Sequence, residues 1–263
     1  MLFYENPNGK LYHGDCLEIM KDIPDGSVDM VLCDLPYGMT ACDWDVVIPF
    51  EPLWEHYNRI CKRNAAVVLF SQQPFTTDII NSNRKKFRYE IIYRKTMKMG
   101  FLNAHKMPLK GHENICVFYK ALPTYNPQKT QSRNRPRIRV QEDARCRIYS
   151  KFKGGVMVDD GSRYPESVID FSNFNGGGFV KNRERTKHPT QKPVPLLEYL
   201  IRTYSNEKET ILDNCIGSGS TAVAAENTGR RWIGIEKEEH FCEVAKKRIA
   251  EAAAQGRLLL LQG

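Results

Sequence analysis

The chain has 263 residues, of which 41% are hydrophobic and 27% charged, a composition typical of a globular protein that buries a sizeable core. It contains no apolar run near the roughly 18 residues of a membrane span, and its start, MLFYENPNGK, lacks the basic-then-apolar order of a secretion signal. Its eight cysteines include no C-x-x-C pair, which argues against a zinc site and a disulfide framework. We therefore expect a cytoplasmic protein with reduced thiols, no membrane contact and no bound metal.

Short apolar strands alternate with helical segments over the first 120 residues. Strands are predicted over 10–15, 28–34, 65–71, 90–95 and 114–120, and helices near 16–22, 50–62 and 74–83. The rhythm returns later, with helices predicted over 194–204, 219–228 and 239–254 and strands over 209–215 and 230–236. The tail GRLLLLQG fits a short strand or a frayed end. This alternation is typical of an α/β protein with a mostly parallel, doubly wound sheet covered by helices on both faces.

Residues 121–187 interrupt this rhythm and carry most of the net charge. They hold 14 of the 39 Lys and Arg residues but 7 of the 31 Asp and Glu residues, a balance of +7 in a chain whose total is +8. Stretches such as YNPQKTQSRNRPRIRV are polar and lack periodicity, which is typical of an exposed segment. A polyanion partner would explain the clustering, because basic side chains release counterions from phosphates, but a solvated basic loop explains it equally well.

The segment VDMVLCDLPYG, residues 28–38, places a carboxylate at the end of a buried strand. Asp34 ends the apolar run, and Pro36, Tyr37 and Gly38 then stop the ladder, project an aromatic ring and turn the chain. Taken alone, this pattern is ordinary turn chemistry. Open α/β sheets bind ligands at the carboxyl ends of their strands, however, so Asp34 is also a candidate catalytic residue.

A second pattern, ILDNCIGSGSTA at 211–222, predicts a strand, a glycine-rich turn and the start of a helix. Gly217 and Gly219 allow the backbone to approach a ligand closely, and the first amides of the helix favour an anionic group. Glu236 ends the next predicted strand, where an acidic side chain can accept hydrogen bonds from both hydroxyls of a ribose. A nicotinamide dinucleotide fits the turn, but too few residues follow for a second mononucleotide half unless the chain is circularly permuted. S-adenosylmethionine fits better, with Asp213 as the partner of its amino group.

The order of these motifs resembles the β class of DNA amino-methyltransferases, which act on adenine N6 or cytosine N4. DLPYG comes first, the basic segment follows, and HPTQKP at 188–193 and LDNCIGSGST come last. The resemblance implies a Rossmann-like methyltransferase fold, circularly permuted. In it, 1–120 form the catalytic half, 121–187 an inserted target-recognition region, and 188–263 the S-adenosylmethionine-binding half of the same domain.

The resemblance also assigns individual residues. Asp34, Pro36 and Tyr37 match the family's catalytic D-P-P-Y, with Leu35 in place of the first proline. The family's D-P-F-x-G-S-G-T-T is matched at 213–221, although Asn214 and Cys215 replace its Pro and Phe. The residues implied for cofactor binding are Asp15, Cys16, Thr190, Lys192, Asp213, Gly217, Ser218, Gly219, Thr221 and Glu236.

Within that set, the resemblance implies different contacts with the cofactor. Glu236 corresponds to the acid that binds the ribose, and Asp15 to the residue that meets the adenine amine. Thr190 and Lys192 correspond to contacts with the methionine end, whereas His188 in the same motif is expected to be structural.

The chemistry of base methylation agrees with this assignment. The exocyclic amine of adenine is a poor nucleophile because its lone pair is delocalised into the ring. The Asp34 carboxylate and the Pro36 carbonyl would accept hydrogen bonds from the two N–H groups of this amine. The lone pair would then point at the sulfonium methyl group. Tyr37 would stack on the base, which must be flipped out of the duplex to be reached.

We therefore expect a site-specific DNA (adenine-N6) methyltransferase, with three alternatives. Members of the family that act on cytosine N4 usually carry Ser where Asp34 stands. Methylation of RNA or of a protein amide would need no insert shaped for duplex DNA. A non-catalytic DNA-binding relative would be expected to lose Asp34 or the glycine turn.

Double-stranded DNA is the expected partner. Four alternating arginines in RNRPRIRV would share one face of an extended chain and follow a phosphate backbone, although four solvated arginines fit equally well. These residues are Arg133, Arg135, Arg137 and Arg139. Relatives often form homodimers, and a cognate restriction enzyme is a further candidate partner, as expected for restriction-modification. The recognition sequence cannot be read from the chain.

Overall fold

The computed structural model describes residues 1–40, 42, 45–132, 137–141, 155–173 and 191–261. The strands of these residues are β1 Leu2–Asn6, β2 Gly9–His13, β3 Val28–Asp34, β4 Cys61–Ser71, β5 Phe87–Met99, β6 Lys110–Phe118, β7 Thr130–Gln131, β8 Arg137–Gln141, β9 Gly155–Asp159, β10 Ser162–Arg163, β11 Val168–Phe171, β12 Thr210–Asp213 and β13 Arg231–Glu236. The α-helices are α1 Cys16–Ile19, α2 Phe50–Ile60, α3 Phe75–Ser82, α4 Val194–Tyr204, α5 Ser220–Asn227 and α6 Glu239–Leu261. Short 3-10 helices span Met20–Asp22 and Phe101–Asn103.

Nine of these strands form one sheet, in the order β1-β2-β13-β12-β3-β4-β6-β5-β11. The central strands β2, β13, β12, β3 and β4 are parallel neighbours, and β11 is parallel to β5. Three pairs are antiparallel: β1 with β2, and β6 with both β4 and β5. The sheet is therefore mostly parallel, as predicted, with one reversed strand inside it.

Helices cover both faces of this sheet. In β3, Met30 and Leu32 pack into a core with residues of α4, α5 and α6, whereas Val31 and Cys33 pack into a second core with residues of α1, α2 and α3. Alternate side chains of a strand point to opposite faces, so a strand buried on both sides reads as one continuous apolar run. This confirms the predicted doubly wound α/β arrangement.

Several elements differ from the sequence-based expectation. β7 to β11 lie in the segment where no strand was predicted, and β11 joins the main sheet beside β5. β1 was not predicted; it pairs with β2 through a tight turn in which the Asn6 side-chain oxygen accepts from the amides of Asn8 and Gly9, both at 2.9 Å. The tail does not form a strand, because α6 continues through it to Leu261. Arg and Leu, which fill the tail from residue 257 to 261, have high helix propensity, which offsets the cost of Gly256.

The chain forms two compact units, one comprising 1–126 and 167–263 and the other 127–166. In the second unit β7 pairs with β10 and β8 with β9, each pair antiparallel. Lys129 Nζ lies 4.3 Å from the centre of the Tyr164 ring, and Arg163 pairs with Asp159 at 2.6 Å. This unit lies within the predicted insert, whose role in target recognition stays a prediction. Over the described part of the chain, no helix has the length and apolar character needed to cross a bilayer.

Candidate active site

The carboxyl ends of three parallel strands border a cavity of about 610 Å³. Asp34 is the last residue of β3, Asp213 of β12 and Glu236 of β13. Because these strands are adjacent and parallel, their last side chains meet at one edge of the sheet. The carboxylates that the sequence analysis singled out therefore lie around one space.

Most of the other predicted site residues also line this cavity. Those that do so are Asp15, Cys16, Asp34, Pro36, Tyr37, Lys192, Asp213, Gly217, Ser218, Thr221 and Glu236. Gly219 does not line the cavity; it packs against Ala245 of α6. Arg137 and Arg139 lie in β8 of the second unit. Thr190, His188, Arg133 and Arg135 fall outside the described residues.

Asp34 is held by two side chains, one at each carboxylate oxygen. The Tyr37 hydroxyl donates to Oδ1 at 2.6 Å, and Lys192 Nζ forms an ion pair with Oδ2. One face of the Tyr37 ring is occupied, because the ring of Phe75 lies 5.0 Å away at an interplanar angle of 31°. Burial, followed by the charge of Asp34, raises the pKa of Tyr37 well above its ordinary value, so this hydroxyl remains a donor.

Behind Asp34 lies a chain of alternating charges that leads into the protein. Lys192 Nζ is 3.3 Å from Glu113 Oε2, and Lys95 pairs with the other oxygen of Glu113. Both Lys192 and Glu113 are buried, and Lys192 also lies 5.0 Å from the centre of the Phe70 ring. The four charges of Asp34, Lys192, Glu113 and Lys95 cancel, which is what a buried cluster needs.

The pKa shifts of this charge cluster follow from its geometry. Burial alone would raise the pKa of Glu113, but the charges of Lys192 and Lys95 outweigh it and lower that pKa. Burial alone would lower the pKa of Lys192, but Asp34 and Glu113 outweigh it and raise that pKa. Both groups therefore stay ionised at neutral pH.

The glycine turn is shaped by close packing and by its acidic partner. Gly217 and Gly219 have φ values of +53° and +85°, in the left-handed region that favours glycine. A Cβ atom on Gly219 would lie 2.9 Å from the Ala245 Cβ atom. Glu236 accepts from the Gly217 amide and from the Glu238 amide, both at 2.8 Å, so the end of β13 fixes the turn that follows β12.

Asp213 and Glu236 are carboxylates with 4% and 9% exposure, respectively. Burial raises the pKa of Asp213 to about 6 against opposing hydrogen bonds from Thr221, the Cys215 amide and Cys33. Burial also raises the pKa of Glu236, opposed by backbone amides that include those of Glu238 and Gly217. A ligand that brings a positive charge or several hydroxyl groups would compensate the cost of burying these two charges. The pair is therefore suited to bind such a ligand.

The two residues that depart from the family motif, Asn214 and Cys215, are fixed by neighbours. The Tyr57 hydroxyl donates to the Asn214 side-chain oxygen at 2.5 Å. The Asn214 amide nitrogen lies 3.7 Å from the Cys16 sulfur and 3.5 Å from the Cys215 sulfur. This part of the cavity is therefore lined by an amide and two thiols.

Glu113, Lys95 and Arg248 were not predicted to belong to the site. Lys95 carries the same signal as Asp34, a charge at the end of a predicted strand. Arg248, in α6, donates to the carbonyl oxygen of Ser218 at 2.6 Å and so connects this helix to the glycine turn. Nothing in the spacing of Arg248 distinguishes it from other basic residues of that helix.

Comparisons with known proteins identify the family to which the chain belongs. Residues 28–247 match a family of DNA methylases, the N6/N4 methylases. The type II methyltransferase M2.LlaDCHI of Lactococcus lactis subsp. cremoris is 29% identical, over 97% of this chain and 94% of its own length. M2.DpnII of Streptococcus pneumoniae is 28% identical, over 94% of this chain and 91% of its own.

Two solved structures of DNA methyltransferases are similar to this chain over most of its length. The chain is similar to M1.HpyAVI in its complex with SAM, with a TM-score of 0.62 and 25% identity over 91% of this chain and 99% of that one. It shares the fold of the cytosine-N4-specific PvuII DNA methyltransferase, with a TM-score of 0.65 and 15% identity over 96% and 94% of the two chains. These matches confirm the predicted Rossmann-like methyltransferase fold. The family match covers most of the chain, which therefore belongs to the N6/N4 family of DNA methylases.

Proposed function

We propose that this protein transfers a methyl group from S-adenosylmethionine to the exocyclic N6 of adenine in double-stranded DNA. The observation that carries the proposal is the position of Asp34, a carboxylate at the end of β3 in the same cavity as the glycine turn. Members of the β class that act on cytosine usually carry Ser at this position. The Asp34 carboxylate therefore favours adenine N6 as the target.

The cavity fits the methyl donor. When bound, S-adenosylmethionine supplies an electrophilic methyl group. We assign the ribose hydroxyls to Glu236, which keeps lone pairs beyond the two used by backbone amides, and the amino group to Asp213. Asp15, which caps α1 by accepting from the Leu17 amide at 2.9 Å, is assigned to the adenine amine.

The remaining cofactor contacts follow the motif. Gly217 and Ser218 bring backbone close to the ligand, whereas Gly219 allows the turn to pack against α6. Thr221 orients Asp213, and Cys16 borders the adenine position. Thr190 and Lys192 stay predicted contacts with the methionine end. In this structure the Lys192 ammonium is engaged by Asp34 and Glu113.

Asp34 and Pro36 position the base amine for attack. Lys192 fixes one oxygen of Asp34, and the other accepts from Tyr37. The amine of the target base takes the place of the Tyr37 hydroxyl at Oδ1 and gives its second N–H to the Pro36 carbonyl. Two acceptors in these positions favour a pyramidal nitrogen and stabilise the positive charge that develops on it.

Tyr37 supplies the platform for the flipped base. Its ring packs on Phe75 with one face, so a base stacks on the other. Once methylated, the amine loses a proton, and Asp34 or water accepts it. No strong base is required, because this proton leaves a cationic nitrogen.

DNA contacts outside the cavity are assigned to Arg133, Arg135, Arg137 and Arg139. We propose that they position the duplex through its phosphates. Each Arg→Ala change should then weaken binding to all sequences and flatten the salt slope by about one unit. An effect confined to one base position would contradict this role. Homodimer formation and pairing with a restriction enzyme stay predictions.

Methyl transfer from isotopically labelled S-adenosylmethionine to unmethylated genomic DNA tests the proposal. Nucleoside mass spectrometry of the digested DNA identifies the modified atom, with Asp34→Ala as the catalytic control. We expect N6-methyladenine that disappears in the variant. N4-methylcytosine would move the target to cytosine, and no transfer to DNA by a protein that binds the cofactor would redirect the search to RNA or protein amides.

A further inference from the structure

The loop between β5 and β6 exposes a dense group of large apolar side chains. We call residues 96–110 the β5–β6 tip; it comprises this loop, the last four residues of β5 and the first residue of β6. Every one of these residues is exposed. Phe101 and Leu102, adjacent in sequence, are 76% and 82% exposed. The tip also exposes Met97, Met99, Met107 and Leu109. Large exposed apolar side chains grouped in one short segment mark an interaction site more often than scattered ones do.

The charge of this segment has one sign. Residues 95–112 contain four lysines and two histidines but no aspartate or glutamate. Lys98 is used internally, because its ammonium donates to the backbone oxygens of Lys95 and Thr96 at 2.6 and 3.3 Å. Lys106 is exposed in the turn that follows Phe101 and Leu102 in the chain. An apolar surface with a basic border complements a polyanion that also offers flat, apolar groups.

The β5–β6 tip stands at the cavity that contains Asp34. Met99, Gly100, Asn103 and Lys110 line that cavity. The tip therefore borders the space in which a flipped base would meet Asp34.

The strand ends that carry the β5–β6 tip are held by side-chain hydrogen bonds. The Asn173 side chain accepts from the Met97 amide at 2.7 Å and donates to the Met97 carbonyl at 3.0 Å. Lys110 Nζ donates to the Gln72 side chain at 3.1 Å. These contacts fix the point from which Phe101 and Leu102 project.

We propose that the β5–β6 tip binds duplex DNA and that Phe101 and Leu102 enter the base stack at the position which the target base vacates. Lys106 contacts a neighbouring phosphate. The inference rests on the proposed function, because it concerns the DNA that delivers the base to Asp34. Extruding a base costs unstacking and pairing energy, and an apolar wedge that fills the gap offsets part of it.

The test compares Phe101→Ala, Leu102→Ala and the double variant with the wild type. Leu122→Ala is the matched control: Leu122 is 79% exposed, but it lies outside the tip and does not line the cavity. Methylation sites are first mapped on genomic DNA by the wild-type enzyme. Kinetics are then measured on a short duplex containing the site, and on the same duplex with an abasic position opposite the target, where extrusion breaks no base pair.

We expect kcat/KM of the double variant on the intact duplex to fall by about 10- to 100-fold, with recovery to within about 3-fold of wild type on the abasic duplex. Leu122→Ala should match wild type on both. Equal losses on the two substrates, or none, would overturn the wedge. A loss of kcat/KM together with a change in oligomeric state, measured by sedimentation, would also overturn the wedge. The tip would then be an interface between copies of this chain.

Failure of the proposed function would look different. In that case the wild type transfers no methyl group to DNA. Fluorescence anisotropy with a labelled duplex still tests the tip, because the double variant should bind at least about 10-fold more weakly than wild type and Leu122→Ala. Equal affinities, or no binding by any of the proteins, would overturn the inference.

Discussion

Lys192 and Asp34, separated by 158 residues in the chain, form an ion pair in the cavity. Lys192 just precedes α4, whereas Asp34 ends β3, so the pair joins the two ends of the methyltransferase domain. Glu113 holds Lys192 from the other side. The orientation of the proposed catalytic carboxylate thus depends on residues from three separate parts of the sequence.

Lys192→Met should lower kcat, because it removes the charge that holds the Asp34 carboxylate. It leaves the carboxylates of Asp34 and Glu113 with Lys95 as their nearest compensating charge, and the pKa of Glu113 should rise. We expect kcat to fall by roughly 10- to 100-fold and the acid limb of the pH profile to move to higher pH. Steady-state kinetics between pH 5 and 9 measure both.

Lys21→Met is the control for Lys192→Met, since it removes an exposed ion pair with Glu18 that lies outside the cavity. That variant should keep both the rate and the pH profile of the wild type. An unchanged profile in Lys192→Met would show that the ion pair has no part in catalysis.

Glu113→Gln should lower kcat by changing the charge of the cluster. It leaves the two ammonium groups of Lys192 and Lys95 with Asp34 alone, so positive charge on the methylated amine becomes less favourable. We expect a loss of about 10-fold in kcat with little change in KM for DNA. Adding Lys95→Met restores neutrality, so the double variant should recover most of the loss. A double variant worse than Glu113→Gln would point to packing instead of charge.

Why Glu113 could not be predicted is clear from the sheet. It stands near the start of β6, and in a parallel sheet the start of a strand lies at the edge opposite the ligand site. β6 runs antiparallel to β4, with Asn114 paired to Ser71, which brings Glu113 to the edge where β4 ends. The sequence of β6 indicates a buried strand but contains nothing that gives its direction.

The glycine turn, in contrast, could be predicted because its parts are contiguous. A strand, two glycines and a helix start lie within twelve residues, and Glu236 ends the very next strand. Asp34 likewise follows from one local pattern. Lys192 was named from its motif, but its pairing with Asp34 depends on how distant segments pack, which local patterns do not encode.

Asp213→Asn should stabilise the protein without ligand and weaken cofactor binding. The folded pKa of Asp213, about 6, lies above its ordinary value of 3.8, so the native state binds the proton more tightly than the unfolded state. This group therefore lowers stability as pH rises from about 4 to 6, and the cost persists above pH 6. At pH 8 the variant should gain on the order of 2 kcal/mol in the free energy of unfolding, and near pH 4 almost nothing.

Urea unfolding at the two pH values measures this gain, and calorimetry with S-adenosylmethionine measures the loss of affinity. Affinity of the wild type should rise with pH through about 6 as Asp213 ionises. An Asp213→Asn protein that binds the cofactor as tightly as wild type at pH 8 would remove Asp213 from the assigned contacts.

Gly219→Ala should destabilise the fold more than the same change at Gly26. Both glycines have positive φ, at +85° and +59°, so each substitution strains the backbone by about 1 kcal/mol. A Cβ atom on Gly26 meets nothing within 4 Å, whereas on Gly219 it lies 2.9 Å from the Ala245 Cβ atom and 3.0 Å from its Cα atom. The second contact is with backbone, so α6 must move away from the glycine turn.

That displacement has a functional cost as well as an energetic one. Arg248, one turn further along α6, donates to Ser218, so moving the helix also moves the turn that we assign to the cofactor. We expect Gly219→Ala to lose at least about 1 kcal/mol more than Gly26→Ala in urea unfolding, and to bind S-adenosylmethionine more weakly at temperatures where it remains folded. Equal losses in the two variants would mean that α6 yields freely, and that the close approach of turn and helix does not set the shape of the site.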